Sequence, residues 1–187
     1  LPVENVDLSN LQSILSTGSP LSSDGFAFVY EAIKQDVQLC SISGGTDIVS
    51  CFVLGCPVLP VLAGQIQTRG LAMKTDVLDE AGNSVKDCQG ELCCTAPFPS
   101  MPVKFWNDPI GSAYKEAYFE HFANIWRHGD WATITTTGGI IIHGRSDATL
   151  NPGGVRIGTA EIYRQVEAFD DVQEAVSYTH LTLPTIE

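Results

Sequence analysis

The sequence predicts a mixed α/β fold in which strands outnumber helices. Short apolar runs recur along the chain between glycine- and proline-rich turns, which is typical of strands. Two segments, Gly25 to Lys34 and Ala160 to Phe169, instead carry apolar residues at helical spacing. With 187 residues, 44% of them hydrophobic, the chain is long enough to bury one ordinary core.

The first part of the chain predicts a strand, a turn, a helix and a second strand. Leu8 to Leu15 has the apolar spacing of a helix or a short strand. A serine or aspartate at positions 22–24 can cap the helix over Gly25 to Lys34. Val37 to Ser43 reads as a strand running into the sequence SGGTD, and ligands of α/β proteins bind at the carboxyl ends of strands.

The middle of the chain is predicted to be largely β. Val49 to Gly64 is the densest apolar run, but it is too short and too often broken by glycine and proline for a membrane span, so we expect buried strands. Ile66 to Cys94 also has a strand pattern, with a hairpin turn at Ala81 to Asn83. Ser112 to Phe119 predicts a helix. Its aromatic residues are expected to pack in the core: Tyr114, Tyr118 and Phe119.

The stretch from Trp126 to Ile162 carries the clearest chemistry. Asp130 is expected at the end of one strand, where an ionised carboxylate can accept hydrogen bonds from both hydroxyls of a ribose. Strands over Ala132 to Thr137 and Gly139 to Gly144 then lead to a glycine-rich turn. That turn carries the remaining charged candidates: Arg145, Asp147 and Arg156. Arginine supplies a permanent charge for phosphate oxygens, so the stretch predicts a site for an anionic nucleotide.

This stretch also resembles a known family. The run GRSDATLNPGGVRIGTAEI, with WRHGDW upstream, resembles the hinge and ribose-binding motifs of the adenylate-forming enzymes, which include acyl-CoA synthetases, luciferases and peptide-synthetase adenylation domains. The likeness extends over roughly Leu1 to Val176 and is strongest to the acetoacetate-activating members. It implies an internal fragment: the later part of the large AMP-binding domain (an α/β subdomain and a distorted β-barrel) over 1–146, and the hinge and start of the small C-terminal α+β domain over 147–176. We expect 177–187 to be a non-native tail.

The resemblance implies an ATP-dependent acetoacetate–CoA ligase of lipid and ketone-body metabolism in the cytosol. Its small-molecule substrates would be ATP, acetoacetate and CoA, with Mg²⁺ as the metal. The reaction would pass through an acyl-adenylate and release AMP and pyrophosphate. The family's phosphate loop and its C-terminal lysine do not occur between Leu1 and Glu187. We therefore expect this polypeptide alone to lack ligase turnover in a pyrophosphate-release assay.

The resemblance assigns nucleotide-binding roles to residues from three parts of the chain. The turn bordering the adenine would be Gly18, Ser19 and Pro20. Thr46 would contact a phosphate, and Asp47 would help to hold Mg²⁺, directly or through a water, since it stands where the family usually has the longer glutamate. Asp130 would bind the ribose diol, and Arg145 would contact ribose or phosphate.

Further roles concern the acyl pocket and the second half-reaction. Gly44 and Gly45 fall where acetyl-CoA synthetases carry a bulky aromatic residue, so their small size would admit a four-carbon keto acid. Asp147 would be the hinge, and Arg156 would approach the site after the domain swing. Two further glycines would line the path of the pantetheine arm: Gly153 and Gly154.

Plainer interpretations of these motifs remain open. Residues 18–20 can form an ordinary turn, Gly44 and Gly45 a Gly-Gly hairpin, and residues 145–147 a surface turn. The chain as a whole can be a ligase for another short acid. It can also be a non-catalytic nucleotide-binding or interaction module, which calorimetry with AMP and CoA would distinguish.

Charge and cysteine content narrow the class of protein. The net charge of -12 argues against nucleic-acid and anionic-membrane partners, whereas Trp126 to Arg156 has a local charge of +1. The chain starts at Leu1 without a recognisable secretory leader. Six cysteines form no CxxC pair, so we expect reduced structural thiols in a cytosolic protein. Cys93 and Cys94 should point to opposite faces of one strand. The oligomeric state is not predicted.

Overall fold

A computed structural model of the chain describes residues 6–147, 149, 150, 157, 158, 162, 165, 166, 169 and 172. Its strands are β1 (Ser13–Ser16), β2 (Gln38–Ser41), β3 (Ser43–Gly45), β4 (Ser50–Leu54), β5 (Thr68–Arg69), β6 (Thr75–Leu78), β7 (Gly90–Cys94), β8 (Trp126–Ile134), β9 (Ile140–Arg145), β10 (Thr149–Leu150) and β11 (Ile157–Gly158). Its helices are α1 (Ser23–Phe28), which continues as a π-helical turn (Val29–Ile33), and α2 (Ser112–Phe119). The mixture confirms the predicted mixed α/β class. None of the helices in this part of the chain has the length and hydrophobicity that a membrane span requires.

The first unit is a parallel strand pair covered by α1. β1 and β2 pair in register from Ser13 opposite Gln38 onward. The predicted helix exists, and Ser22 is its cap, because the Ser22 hydroxyl accepts a hydrogen bond from the Gly25 N–H at 3.1 Å. Phe26 and Leu39 are buried in the small core between the helix and the strands.

The predicted strand over Val37 to Ser43 is divided in the structure. β2 ends at Ser41, and β3 begins at Ser43 and pairs with β4 in a separate antiparallel sheet, β3–β4–β5. Gly44 and Gly45 both lie within β3 and do not form the turn of a hairpin, so the Gly-Gly hairpin interpretation is wrong. The chain turns instead over 46–49, where Val49 takes a left-handed φ of 49°.

The apolar run Val49 to Gly64 is only partly a buried strand, contrary to the prediction. It forms β4 over Ser50–Leu54 and continues as turns and loop. Val58 is 85% exposed, and Leu62 is also exposed. Pro57 and Pro60 lack the N–H that a strand ladder requires, so apolar composition alone could not extend the strand.

The largest sheet is antiparallel, with strand order β6-β7-β8-β9. Ile66 joins it to the β3–β4–β5 sheet, since its N–H and C=O exchange hydrogen bonds of 2.7 and 2.8 Å with Ile140. The main core lies between these two sheets and includes Phe52 and Trp126. Cys94 packs in this core and Cys93 in a separate cluster with Leu78 and Phe122, which confirms that the two thiols point to opposite faces. All six cysteines are free.

The predicted turn over 81–83 and the predicted helix α2 both form. Asp79 organises the turn by accepting from the N–H groups of Ala81 and Asn83, although only one bridge, Leu78 with Ser84, continues it as a hairpin. α2 has the predicted bounds. Its aromatic residues pack around the core, as expected, with Tyr118 stacked on Trp126 at a centroid distance of 3.6 Å.

The two strands of the central stretch extend further toward the site than predicted. β8 begins at Trp126 and β9 ends at Arg145, so Asp130 lies inside a strand and not at its end. The helix predicted over 160–169 lies mostly outside the described residues. The proposed boundary at Asp147 stays a prediction.

Candidate functional site

A cleft of about 740 Å³ lies where the first unit, the β3–β4 hairpin and the β8–β9 pair meet. This volume falls within the roughly 300–1,000 Å³ of small-molecule sites. It is lined by segments of all three: 17–21, 41–46, 49–51, Gly64, Ile66, Asp130, Ile142, Gly144 and Arg145. The predicted candidates that it gathers are Gly18, Ser19, Pro20, Gly44, Gly45, Thr46, Asp130 and Arg145.

Asp130 and Arg145 face each other in one wall of the cleft. They are direct register partners between β8 and β9. Asp130 is 7% exposed, and its Oδ1 lies 3.3 Å from Nη1 of Arg145. Its Oδ2 accepts a hydrogen bond from the Ser43 hydroxyl at 2.9 Å. The carboxylate is therefore held from two elements, β3 and β9, at the edge of a ligand-sized space.

Arg145 is shared between two carboxylates. Its Nε donates to Oδ1 of Asp147 at 2.8 Å, and its Nη2 bonds the other oxygen of that group. The hydrogen bonds that the Arg145 guanidinium donates to Asp147 raise the pKa of Arg145. Burial raises the pKa of Asp147, but the hydrogen bonds and charge of Arg145 outweigh it and leave that pKa below its usual value. Both groups are therefore charged at neutral pH.

His128 is a site residue that the sequence analysis did not single out. Its Nε2 lies 3.2 Å from the carbonyl oxygen of Gly44 and 3.7 Å from Oδ2 of Asp130, and its ring meets the ring of Phe52 edge-on. The signal was available in WRHGDW, because residues two apart in a strand point to the same face. Two side chains of β8 thus reach two adjacent residues of β3: His128 reaches Gly44, and Asp130 reaches Ser43.

A second buried carboxylate, Glu91, lies beside this pair. Oε1 accepts from the Ser146 hydroxyl at 2.7 Å and from the Gly129 N–H at 3.1 Å. Oε2 lies 3.1 Å from Nε of Arg127. Sequence reasoning missed Glu91 because a lone glutamate in GELCC has no pattern of its own, and its partners lie far away along the chain.

Thr46 and Asp47 begin the turn between β3 and β4. Thr46 lines the cleft. The Tyr118 hydroxyl donates to Oδ2 of Asp47 at 2.5 Å. Burial, reinforced by Asp47, raises the pKa of Tyr118. Oδ1 of Asp47 lies so close to Gly45 that a Cβ there would be 2.0 Å away. Within the described residues, no group of three His, Cys, Asp or Glu side chains could hold a metal ion.

Gly44 is a position of close backbone approach. A Cβ on Gly44 would lie 2.2 Å from the carbonyl oxygen of Ser50 and 2.6 Å from Cα of Cys51. These are backbone atoms of β4, so any side chain here would push the two strands apart. The remaining predicted site residues lie outside the described part of the chain: Gly153, Gly154 and Arg156.

Comparison with known proteins shows what the chain is similar to. No family model matches it. It is 64% identical over 175 residues to the acetoacetyl-coenzyme A synthetase of Rhizobium meliloti, and the match covers 94% of this chain and 27% of that protein. The chain is homologous to a segment of the acetoacetyl-CoA synthetases. It spans about a quarter of the length of the relatives it matches.

Solved structures agree with this relationship. Acetoacetyl-CoA synthetase from Streptomyces lividans superposes with a TM-score of 0.81 at 45% identity, covering 92% of this chain and 27% of that chain. The anthranilate CoA ligase AuaEII in complex with anthranoyl-AMP superposes with a TM-score of 0.72 over 90% of this chain and 31% of that one. At 20% identity the second likeness concerns the fold alone. The mixed α/β arrangement of the chain is thus that of adenylate-forming enzymes.

Proposed function

We propose that the chain forms one wall of the nucleotide site of an ATP-dependent acetoacetate–CoA ligase. The complete enzyme would join acetoacetate to ATP as an acyl-adenylate, releasing pyrophosphate, and then pass the acyl group to the thiol of CoA, releasing AMP. The observation that carries the proposal is the Asp130–Arg145 pair at the edge of the cleft, in a chain homologous to acetoacetyl-CoA synthetases.

Asp130 would bind the ribose. Both of its oxygens are acceptors, and the bonds from Ser43 and Arg145 fix the plane of the carboxylate. A ribose diol donates two hydrogen bonds to such a group. Arg145 would contact the ribose or the phosphate as a permanent cation. The turn formed by 18–20 lines the cleft and would border the adenine.

Thr46 and Asp47 would face the phosphates. Thr46 lines the cleft and offers a hydroxyl to a phosphate oxygen. Mg²⁺ usually takes one or two carboxylates and completes its shell with water and phosphate oxygens. Asp47 directly follows Thr46 at the cleft wall, so its one carboxylate would hold the ion, directly or through a water. The bound ion neutralises phosphate charge. Tyr118 would orient Asp47 through its hydroxyl.

Gly44 and Gly45 would border the acyl group. Their backbone lines the cleft, and the absence of a side chain at Gly44 keeps β3 packed on β4. A larger residue at 44 would displace β3 and with it Ser43, which holds Asp130. The proposed admission of a four-carbon keto acid therefore depends on the strand position as well as on free space.

The remaining assignments concern the complete enzyme. Asp147 would be the hinge between a large domain ending at 146 and a small domain starting at 147. Arg156 would enter the site after rotation, and the glycines at 153 and 154 would line the pantetheine path. The six free thiols are compatible with a reducing compartment, and we propose a cytosolic enzyme of lipid metabolism.

Calorimetry with AMP tests the ribose assignment on the 187-residue chain. Asp130→Asn removes the charge and leaves one acceptor oxygen, so AMP affinity should fall by about 10- to 150-fold, the equivalent of losing one charge-assisted hydrogen bond of roughly 1.5–3 kcal/mol. Asp76→Asn is the control, because Asp76 is another ion-paired carboxylate in a strand of the same sheet, although more exposed than Asp130; it pairs with Arg69 and does not line the cleft. Equal AMP affinity in the wild type and Asp130→Asn would refute the assignment.

A further inference from the structure

Glu91 has no part in the roles proposed above, yet it is 3% exposed. A charge removed from water this far is costly unless it is paired and hydrogen-bonded. Its partners satisfy that requirement: the Ser146 hydroxyl at 2.7 Å, the Gly129 N–H at 3.1 Å and Nε of Arg127 at 3.1 Å. The energetic cost of this arrangement calls for a reason beyond packing.

β8 is irregular at Gly129, and the Glu91 carboxylate accepts a hydrogen bond from the backbone N–H of that residue. The pairing of β7 with β8 shifts register between Glu91 and Cys93, and Gly129 takes a φ of 86°, a conformation that favours glycine. The Gly129 N–H donates to the Glu91 carboxylate, and its carbonyl oxygen accepts from the Ser146 N–H at 2.8 Å. Both polar groups of this irregular residue are therefore paired, as buried backbone requires.

Ser146, which directly follows β9, bonds the same two residues, Glu91 and Gly129. Besides its two bonds to Gly129 and Glu91, its hydroxyl accepts from Nη2 of Arg127 at 3.1 Å. It is 8% exposed. Ser146 directly follows Arg145, and Gly129 directly precedes Asp130. The cluster is thus attached to the chain one residue away from each member of the Asp130–Arg145 pair.

We infer that Glu91, Arg127 and Ser146 form a positioning clamp that sets the distance and orientation between the Asp130 carboxylate and the Arg145 guanidinium. The inference rests on the proposed function of the cleft. None of the three clamp residues is among the described residues that line it. The clamp acts by preorganisation, since groups already fixed in the binding geometry lose less freedom when a ligand binds. It also ends next to Asp147, so it would hold the ribose site in place if the chain rotates there.

Ser146→Ala is the sharpest test, because it removes only the hydroxyl. AMP affinity, measured by calorimetry on the 187-residue chain, should fall about 5-fold, the equivalent of losing one hydrogen bond's worth of positioning. Glu91→Gln should lower it as well, because the neutral amide cannot pair with the Arg127 guanidinium. Hydrogen–deuterium exchange of the Gly129 and Ser146 amides should become faster in both variants without ligand.

Ser112→Ala is the control for removing a serine hydroxyl away from the cleft. It also removes one serine hydroxyl next to a carboxylate, that of Asp108 at 3.4 Å, but on α2. Because Ser112 is exposed, its loss should lower the thermal unfolding midpoint less than Ser146→Ala does, and it should leave AMP affinity unchanged. A loss of affinity in this control would assign the effect to general destabilisation and overturn the inference. Ser146→Ala carries the test where Glu91→Gln does not fold.

The failure of the clamp and the failure of the proposed function give different results. Wild-type binding of AMP with undiminished affinity in Ser146→Ala would overturn the clamp and leave the nucleotide site standing. A wild-type chain that binds no AMP would refute the proposed function and, with it, the clamp's role in nucleotide binding. Unchanged exchange at Gly129 and Ser146 would overturn the clamp whether or not AMP binds.

Discussion

The two ends of the β8–β9 pair both contain buried residues, but those residues are stabilised differently. Near the connecting turn, Ile134 and Ile140 are 3% and 1% exposed and pack in the main core. At the other end, His128 and Asp130 are 8% and 7% exposed and are held by hydrogen bonds and charge. Burial alone therefore does not distinguish core from site. The kind of partner does.

The difference has an energetic reason. Removing apolar side chains from water is favourable. The apolar residues near the connecting turn therefore stabilise the fold. Buried polar groups must recover their lost hydration through well-placed partners, and they add little net stability when they do. The polar end of the β8–β9 pair, at Asp130 and Arg145, therefore contributes mainly a fixed arrangement of donors and acceptors.

Truncation at the turn end should have the largest effect. Ile140→Ala removes a fully buried side chain and leaves a cavity, so the free energy of unfolding should fall by about 2–5 kcal/mol in urea denaturation. Val103→Ala, at a 92% exposed residue, should change it by less than about 0.5 kcal/mol. A loss below 1 kcal/mol at Ile140 would contradict the assignment of this end to the core.

Neutralising Arg145, at the polar end of the β8–β9 pair, should lower AMP affinity more than it lowers the stability of the fold. Arg145→Gln removes the cation that faces Asp130, and AMP affinity in calorimetry should fall about 10-fold. The free energy of unfolding should change by only about 1 kcal/mol, because the Arg145 side chain is 47% exposed. Arg69→Gln is a close control: its side chain is equally exposed and pairs with Asp76, but neither residue lines the cleft. Equal losses of AMP affinity in both variants would refute the assignment of nucleotide binding to the polar end of the β8–β9 pair.

The smallest expected effect is a pH dependence at Asp147. Its folded pKa lies below the usual 3.8 because Arg145 outweighs burial. The folded state therefore binds fewer protons than the unfolded state, so the stabilisation is complete above about pH 5 and disappears as the pH falls through the folded pKa. Asp147→Asn should cost less than about 1 kcal/mol at pH 7, since the group is half exposed. Urea unfolding of both proteins from pH 7 to pH 2 should show the difference shrinking only below about pH 5.

Local sequence patterns predicted those elements whose cause is local. Ser22 caps α1 through a bond three residues away, and α2 has its predicted bounds from spacing alone. Strand alternation placed Cys93 and Cys94 on opposite faces. The prediction for Val49 to Gly64 was wrong because composition cannot show where a strand finds a hydrogen-bonding neighbour.

The sequence by itself determined the mixed α/β class, the likeness to adenylate-forming enzymes and the candidates Asp130 and Arg145. Only the tertiary structure showed that Ser43 and His128 lie beside Asp130. It also showed that Glu91 bonds Gly129 and Ser146, the neighbours of Asp130 and Arg145 in the chain. Ser43 and Asp130 are 87 residues apart in the chain, and Glu91 and Ser146 are 55 apart. No local pattern encodes such a pairing, because it arises from the packing of whole sheets against one another.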